Sequence, residues 1–117
     1  MNNIFQPLTP RKLARGYAAT GTEGRKFDPS RRIARSLDAV SICLDWLAGE
    51  GYTPISVEID AERSFPIINI EVCPECERLK TQYAAYTYGW RPECGQRAIL
   101  WRTDKFGCRI EWRERGH

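Results

Sequence analysis

Between residues 30 and 48, apolar side chains recur at helical intervals: Ile33, Leu37, Val40, Leu44 and Leu47 are spaced by four, three, four and three. That spacing draws one stripe along a helix of about 19 residues. Ala34, Ile42, Cys43 and Trp46 widen the buried face, and Arg31, Arg32, Arg35, Asp38 and Asp45 fall mainly elsewhere. Ser30 is the expected cap, and Gly49 and Gly51 supply the stop. Such a helix lies across a sheet or, alternatively, docks its stripe on another chain.

Downstream the period changes to two. In "TPISVEID" Ile55, Val57 and Ile59 point one way and Ser56, Glu58 and Asp60 the other, which predicts a half-buried strand. "AERS" turns the chain, and "FPIINIEV" is the expected antiparallel partner. A short turn of helix is expected after Pro74, and "QYAAYTYGW" reads as a third strand. "QRAILWRT" and "CRIEWRE" form a hairpin around "DKFG", where Gly107 can take a positive φ. In the last strand Cys108, Ile110 and Trp112 share one face, and Arg109, Glu111 and Arg113 the other. The fold class is therefore α+β: one main N-terminal helix packed on a four- to five-stranded antiparallel sheet.

Residues 1–29 lack sustained periodicity. "TPRKLARGY" offers a turn or two of helix, with Thr9 as cap and Pro10 at the first position, before a Gly/Thr-rich stretch. We read this region as a flexible basic arm carrying Arg11, Lys12 and Arg15, followed by a single domain over 30–117. A chain of 117 residues has room for one modest core, and 42% apolar content is enough to fill it. No run of 18 apolar residues predicts a membrane span, and the N-terminus lacks a signal-peptide core, so a cytoplasmic location is expected.

Eighteen Lys and Arg stand against fifteen Asp and Glu, a formal +3 with most of the cations Arg. Acidic residues interrupt the basic ones along the chain, which argues against one continuous basic face. The cysteines, at 43, 73, 76, 94 and 108, suit neither an even disulfide framework nor a cytoplasmic location for one. Cys43 falls in the helix stripe as a small buried hydrophobe. Cys73, Cys76, Cys94 and Cys108 remain, the number a structural zinc takes, although thirteen residues separate the second pair. The CPEC motif at 73–76 is thus a strand terminus, with one structural Zn as the rival reading. A catalytic redox pair is less well supported, because no βαβ unit surrounds it.

No catalytic residue is expected. The sole histidine, His117, is terminal, leaving no base in the body of the chain, and no phosphate-binding glycine loop is present. Aromatic and Arg residues do interleave: Trp90–Arg91, Trp101–Arg102 and Trp112–Arg113, with Tyr86 and Tyr88 nearby. That pattern suits a protein interface or a base-stacking surface.

The segments "SVEIDAERSFPIINIEVCP" and "GCRIEWRE" resemble those of a family of small accessory proteins encoded by tailed phages and prophages. The likeness extends over about residues 33–114. It implies a non-enzymatic protein acting in the bacterial host cytoplasm. Such proteins bind a host or phage protein and inhibit or redirect a host process such as antiviral defence. The resemblance brings no catalytic or cofactor residues. A small nucleic-acid-binding module, stabilised by the four-cysteine zinc, is the alternative.

Overall fold

The structure is a computed structural model that describes residues 27–116. Most of the expected basic arm, with Arg11, Lys12, Arg15 and the Thr9–Pro10 cap, lies outside the described residues, as does His117.

Helix α1 spans Pro29–Glu50. Its cap is Asp28 rather than Ser30: the Asp28 carboxylate accepts from the N–H groups of Ser30 and Arg31 at 3.1 and 3.3 Å. Pro29 opens the helix, where its missing N–H costs nothing. Gly51 ends it at φ 92°, a left-handed conformation that glycine takes without steric penalty.

The sheet has five strands: β1 (Pro54–Glu58), β2 (Ile67–Ile70), β3 (Tyr86–Glu93), β4 (Gln96–Lys105) and β5 (Cys108–Arg115). A seven-residue helix α2 (Cys76–Gln82) interrupts them after β2. Their spatial order is β1-β2-β5-β4-β3. The expected antiparallel sheet is in fact mixed, because β2 and β5 run parallel, with Ile68 opposite Ile110. β1 already occupies one side of β2, so the open side can accept only a strand that returns later. The chain makes that return through α2, β3 and β4, a crossover of the length that parallel pairing demands.

Two further boundaries differ from the sequence reading. Gln82 belongs to α2, and the third strand begins only at Tyr86, after Ala84 reverses the backbone at φ 54°. β1 is exposed along its whole length instead of half-buried, with Ile55 at 66%. It is a short edge strand whose register shifts between Pro54 and Ser56, and the core is centred over β2 and β5 instead.

Both β3–β4 and β4–β5 are joined by two-residue turns with positive φ at each position, Cys94–Gly95 and Phe106–Gly107. This is the mirror-image turn whose twist matches a hairpin.

One core gathers Val40, Cys43 and Leu47 of α1 with Ile68, Ile70, Cys76, Leu79, Cys108, Ile110 and Trp112. The seam of α1 is rotated from the expected stripe. Its buried residues are Ser36, Val40, Cys43 and Leu47, while Ile33 and Leu37 are exposed. Ala39 faces the β4–β5 turn, where a Cβ placed on Gly107 would meet its Cβ at 3.8 Å, an ordinary van der Waals contact. Trp46 then fixes the other end of the helix, packing edge-on against Tyr83 and Phe106 at 5.3 and 5.8 Å.

Leu47→Ala is expected to cost about 2–5 kcal/mol through the cavity it leaves. Leu37→Gln should stay within about 0.5 kcal/mol, since a half-exposed position loses little on becoming polar. Urea unfolding of both variants checks this, and a Leu37 cost equal to that of Leu47 would restore the expected stripe.

Candidate functional site

Strand alternation decides which of the expected contact residues can act together. Successive side chains on a strand point to opposite faces, so each Trp–Arg neighbour pair in the sequence is split by the sheet. Trp101 and Trp112 pair across β4 and β5 on the helix-covered face, their rings stacked at 6.1 Å and 8°. Trp112 is only 3% exposed, and its indole N–H donates to Glu114 at 2.9 Å. Lys80 of α2 lies 4.2 Å over the Trp101 ring and reaches Glu77 and Glu114 at 2.9 and 3.0 Å. Partial burial alone would lower the Lys80 pKa, but these carboxylates outweigh it and hold the ammonium above its usual value. Trp101 and Trp112 therefore close the core and do not form an exposed contact surface. Trp90 remains available, 55% exposed on edge strand β3 with the Arg97 guanidinium 4.5 Å over its ring.

Arg91, Arg102 and Arg113 lie on the opposite, open face, where no helix among the described residues packs. Each is tied to a carboxylate on that face. Arg91 and Arg113 share Glu93 at 3.3 and 3.0 Å, and Arg102 meets Glu111 at 3.1 Å. Arg109 adds a pair with Asp104 at 3.0 Å, which raises its pKa first through that hydrogen bond. The Tyr88 hydroxyl donates to Glu111 at 2.9 Å while the Arg102 guanidinium lies 3.7 Å over its ring. Burial first, and the bond to Glu111 second, push the Tyr88 phenol up from its ordinary pKa. On the β1–β2 side Asn69 donates to Ser56 and Glu58 at 2.9 and 3.0 Å. A concavity of about 520 Å³ lies across this face, floored by Ala98 and Leu100 and bordered by Asn69, Tyr88, Arg91 and Arg113.

Pairs as exposed as most of these are worth only about 0–1 kcal/mol each, so they contribute little to stability. What they do is hold charged groups of both signs in fixed positions. The expected contact set omitted Glu93, Asp104, Arg109 and Glu111. The signal was present in the period-two pattern of "CRIEWRE", which already assigned Arg109, Glu111 and Arg113 to one face.

The four cysteines that the rival reading gave to one structural zinc are not brought together. Cys94 sits exposed at the tip of the β3–β4 turn, and Cys108 lies at the far end of β4. The ten residues of β4 separate those ends by roughly 30 Å, far beyond the reach of one ion. Cys108 instead faces Cys43 inside the core, and burial followed by the charge of Cys108 pushes the Cys43 thiol up to about 12. Cys73 and Cys76 do adjoin, their Sγ atoms 3.9 Å apart, and burial pushes Cys76 up to about 12. Among the described residues, no three His, Cys, Asp or Glu side chains are grouped to hold a metal ion.

Among the described residues, the fold and this surface define an α+β protein with two helices on one face of a mixed five-stranded sheet and a charge-alternating open face on the other. No helix among the described residues is long and apolar enough to cross a membrane. Compared with known proteins, the chain matches no family model, no curated protein and no solved structure.

Two outcomes follow for the cysteines. Cys94→Ser should change stability by less than about 0.5 kcal/mol, whereas Cys108→Ser buries a hydroxyl and should cost about 1–3 kcal/mol. Equal, large losses in both would restore a shared metal site. The second outcome concerns pH. Unfolded thiols lose their protons near 9.0, and the buried Cys43 and Cys76 keep theirs to about 12. Their contribution is thus complete below pH 9 and is lost as pH rises towards 12, by up to about 1.4 kcal/mol per pH unit for each thiol. Denaturant titrations across that window should show less loss in Cys43→Ala than in the parent.

Proposed function

We propose that this chain is a non-enzymatic accessory protein of a tailed phage or prophage that binds a host or phage protein. It does so through the open sheet face and the adjoining β3 edge, in the cytoplasm of the bacterial host. On this reading the outcome is inhibition or redirection of a host process such as antiviral defence.

The observation that carries the proposal is the interleaving of charge on the open face. Arg91, Arg102, Arg109 and Arg113 are each held against Glu93, Glu111 or Asp104. A phosphate backbone laid there would meet a carboxylate beside every one of these arginines, whereas a protein surface of mixed sign can pair with both. Exposed Tyr86 and Tyr88 of β3 add rigid apolar area to that face, while Trp90 stands exposed on the reverse side of the same edge strand. Aromatic and Arg side chains are the residue types that dominate protein-binding hot spots. The phage context rests on the resemblance of residues 56–74 and 107–114 alone.

The test is retention of a stoichiometric protein partner from a bacterial host lysate, followed by affinity measurement with the purified partner. Tyr86→Ala and Arg113→Glu should each weaken binding by at least about tenfold while leaving the chain folded. The opposing result is binding of duplex or single-stranded nucleic acid at about 1 μM or tighter at physiological salt, falling steeply as salt rises.

A further inference from the structure

The CPEC loop sets a core cysteine beside a less buried one. Cys73 is half-buried, while Cys76, three residues on, is 1% exposed, and their sulfurs lie 3.9 Å apart. We propose that Cys73 and Cys76 form a thiol–disulfide exchange site, a dithiol that a small disulfide such as glutathione disulfide converts to an intramolecular Cys73–Cys76 bond.

The loop is already shaped for that bond. The Cys76 N–H donates to the Cys73 carbonyl at 2.9 Å, and the next two N–H groups repeat the pattern onto Pro74 and Glu75. Such a turn brings its first and fourth Cα atoms within about 7 Å, the upper limit for a disulfide. Pro74 removes one backbone torsion from the loop. The Tyr52 hydroxyl, donating to the Glu75 carbonyl at 2.7 Å, clamps it from the segment after α1. Forming the bond requires the sulfurs to approach by about 2 Å, a movement within reach of side-chain rotation.

Exposure sets the order of events. Cys73 is the less buried of the two residues, so it is the one that loses its proton to water and attacks one glutathione sulfur as thiolate. A mixed disulfide forms, and the first glutathione leaves as thiolate and takes a proton from water. Cys76, whose buried thiol gives its proton to solvent only rarely at neutral pH, then attacks the Cys73 sulfur as thiolate and expels the second glutathione, which takes a proton from water. Two protein thiols are oxidised and one small disulfide is reduced to two thiols, with no further reactant. The second step is intramolecular, which favours it over a persistent adduct. Neither other arrangement of cysteines offers this. Cys43 and Cys108 face each other but are both fully buried, and Cys94 is exposed at a turn with no other cysteine beside it.

The experiment uses the full chain carrying Cys94→Ser, which removes the exposed turn thiol. The protein is equilibrated in glutathione buffers from fully reduced to fully oxidised, quenched by alkylation and mapped by mass. The tryptic peptide between Arg63 and Arg78 contains Cys73 and Cys76 and no other cysteine. In oxidising buffer it should lose the mass of two hydrogens and become unreactive to alkylation, and reduction should reverse both changes. Cys76→Ser should stop at a stable glutathione adduct on Cys73, and Cys73→Ser should leave Cys76 unmodified in the folded protein. Should either variant fail to fold, the parent peptide still decides. The proposal is overturned if both thiols remain alkylatable in fully oxidised glutathione, or if an adduct on Cys73 persists without resolving.

Discussion

The parallel pairing of β2 with β5, anchored where the Arg109 N–H donates to the Pro66 carbonyl at 2.9 Å, governs the rest of the molecule. It joins an early hairpin to the last strand of a late meander and makes β5 the central strand of the sheet. Without it, β1 and β2 would form a two-stranded ribbon, which is marginal alone in water. With it, Ile68 and Ile70 lie beside Ile110 and Trp112 on one continuous apolar surface, and α1 and α2 have something to cover. Closing a contact so distant along the chain carries an entropy cost, which that shared burial must offset.

A central strand that alternates strictly serves two ends at once. The inward residues of β5, Cys108, Ile110 and Trp112, belong to the core. Its outward residues, Arg109, Glu111 and Arg113, are each ion-paired to a residue of β3 or β4. The core packing therefore fixes the position of the charged face, and a one-residue slip of β5 would exchange the two sets. The open face needs no helix of its own to be ordered. Its side chains are held by a backbone whose reverse side is packed.

Much of this was legible in the sequence wherever a local period decided the matter. The long helix, the two hairpins and the two faces of the last strand follow from spacing alone. What was missed depended on distant neighbours. The seam of α1 depends on which strands and turns lie under the helix, which spacing alone does not give, and it leaves Ile33 and Leu37 exposed. β1 alternates as a half-buried strand should, yet as an edge strand beyond the core it is covered on neither face. The rival zinc reading overlooked a similar constraint. Counting four cysteines ignores strand length, and β4 places Cys94 and Cys108 at opposite ends of the sheet. The same reasoning about faces could have separated Trp101 and Trp112 from Arg102 and Arg113, since adjacent strand residues never share a surface.

The location of β5 between β2 and β4 is what the core, the charged face and the proposed docking mode all require. Nuclear Overhauser contacts between backbone protons in isotope-labelled protein test it most directly. The account predicts parallel-type contacts linking Ile68 and Asn69 with Ile110 and Glu111, together with antiparallel contacts between Trp101 and Trp112. Antiparallel Hα–Hα contacts between β2 and β5, or contacts from β2 to another strand in place of β5, would contradict it.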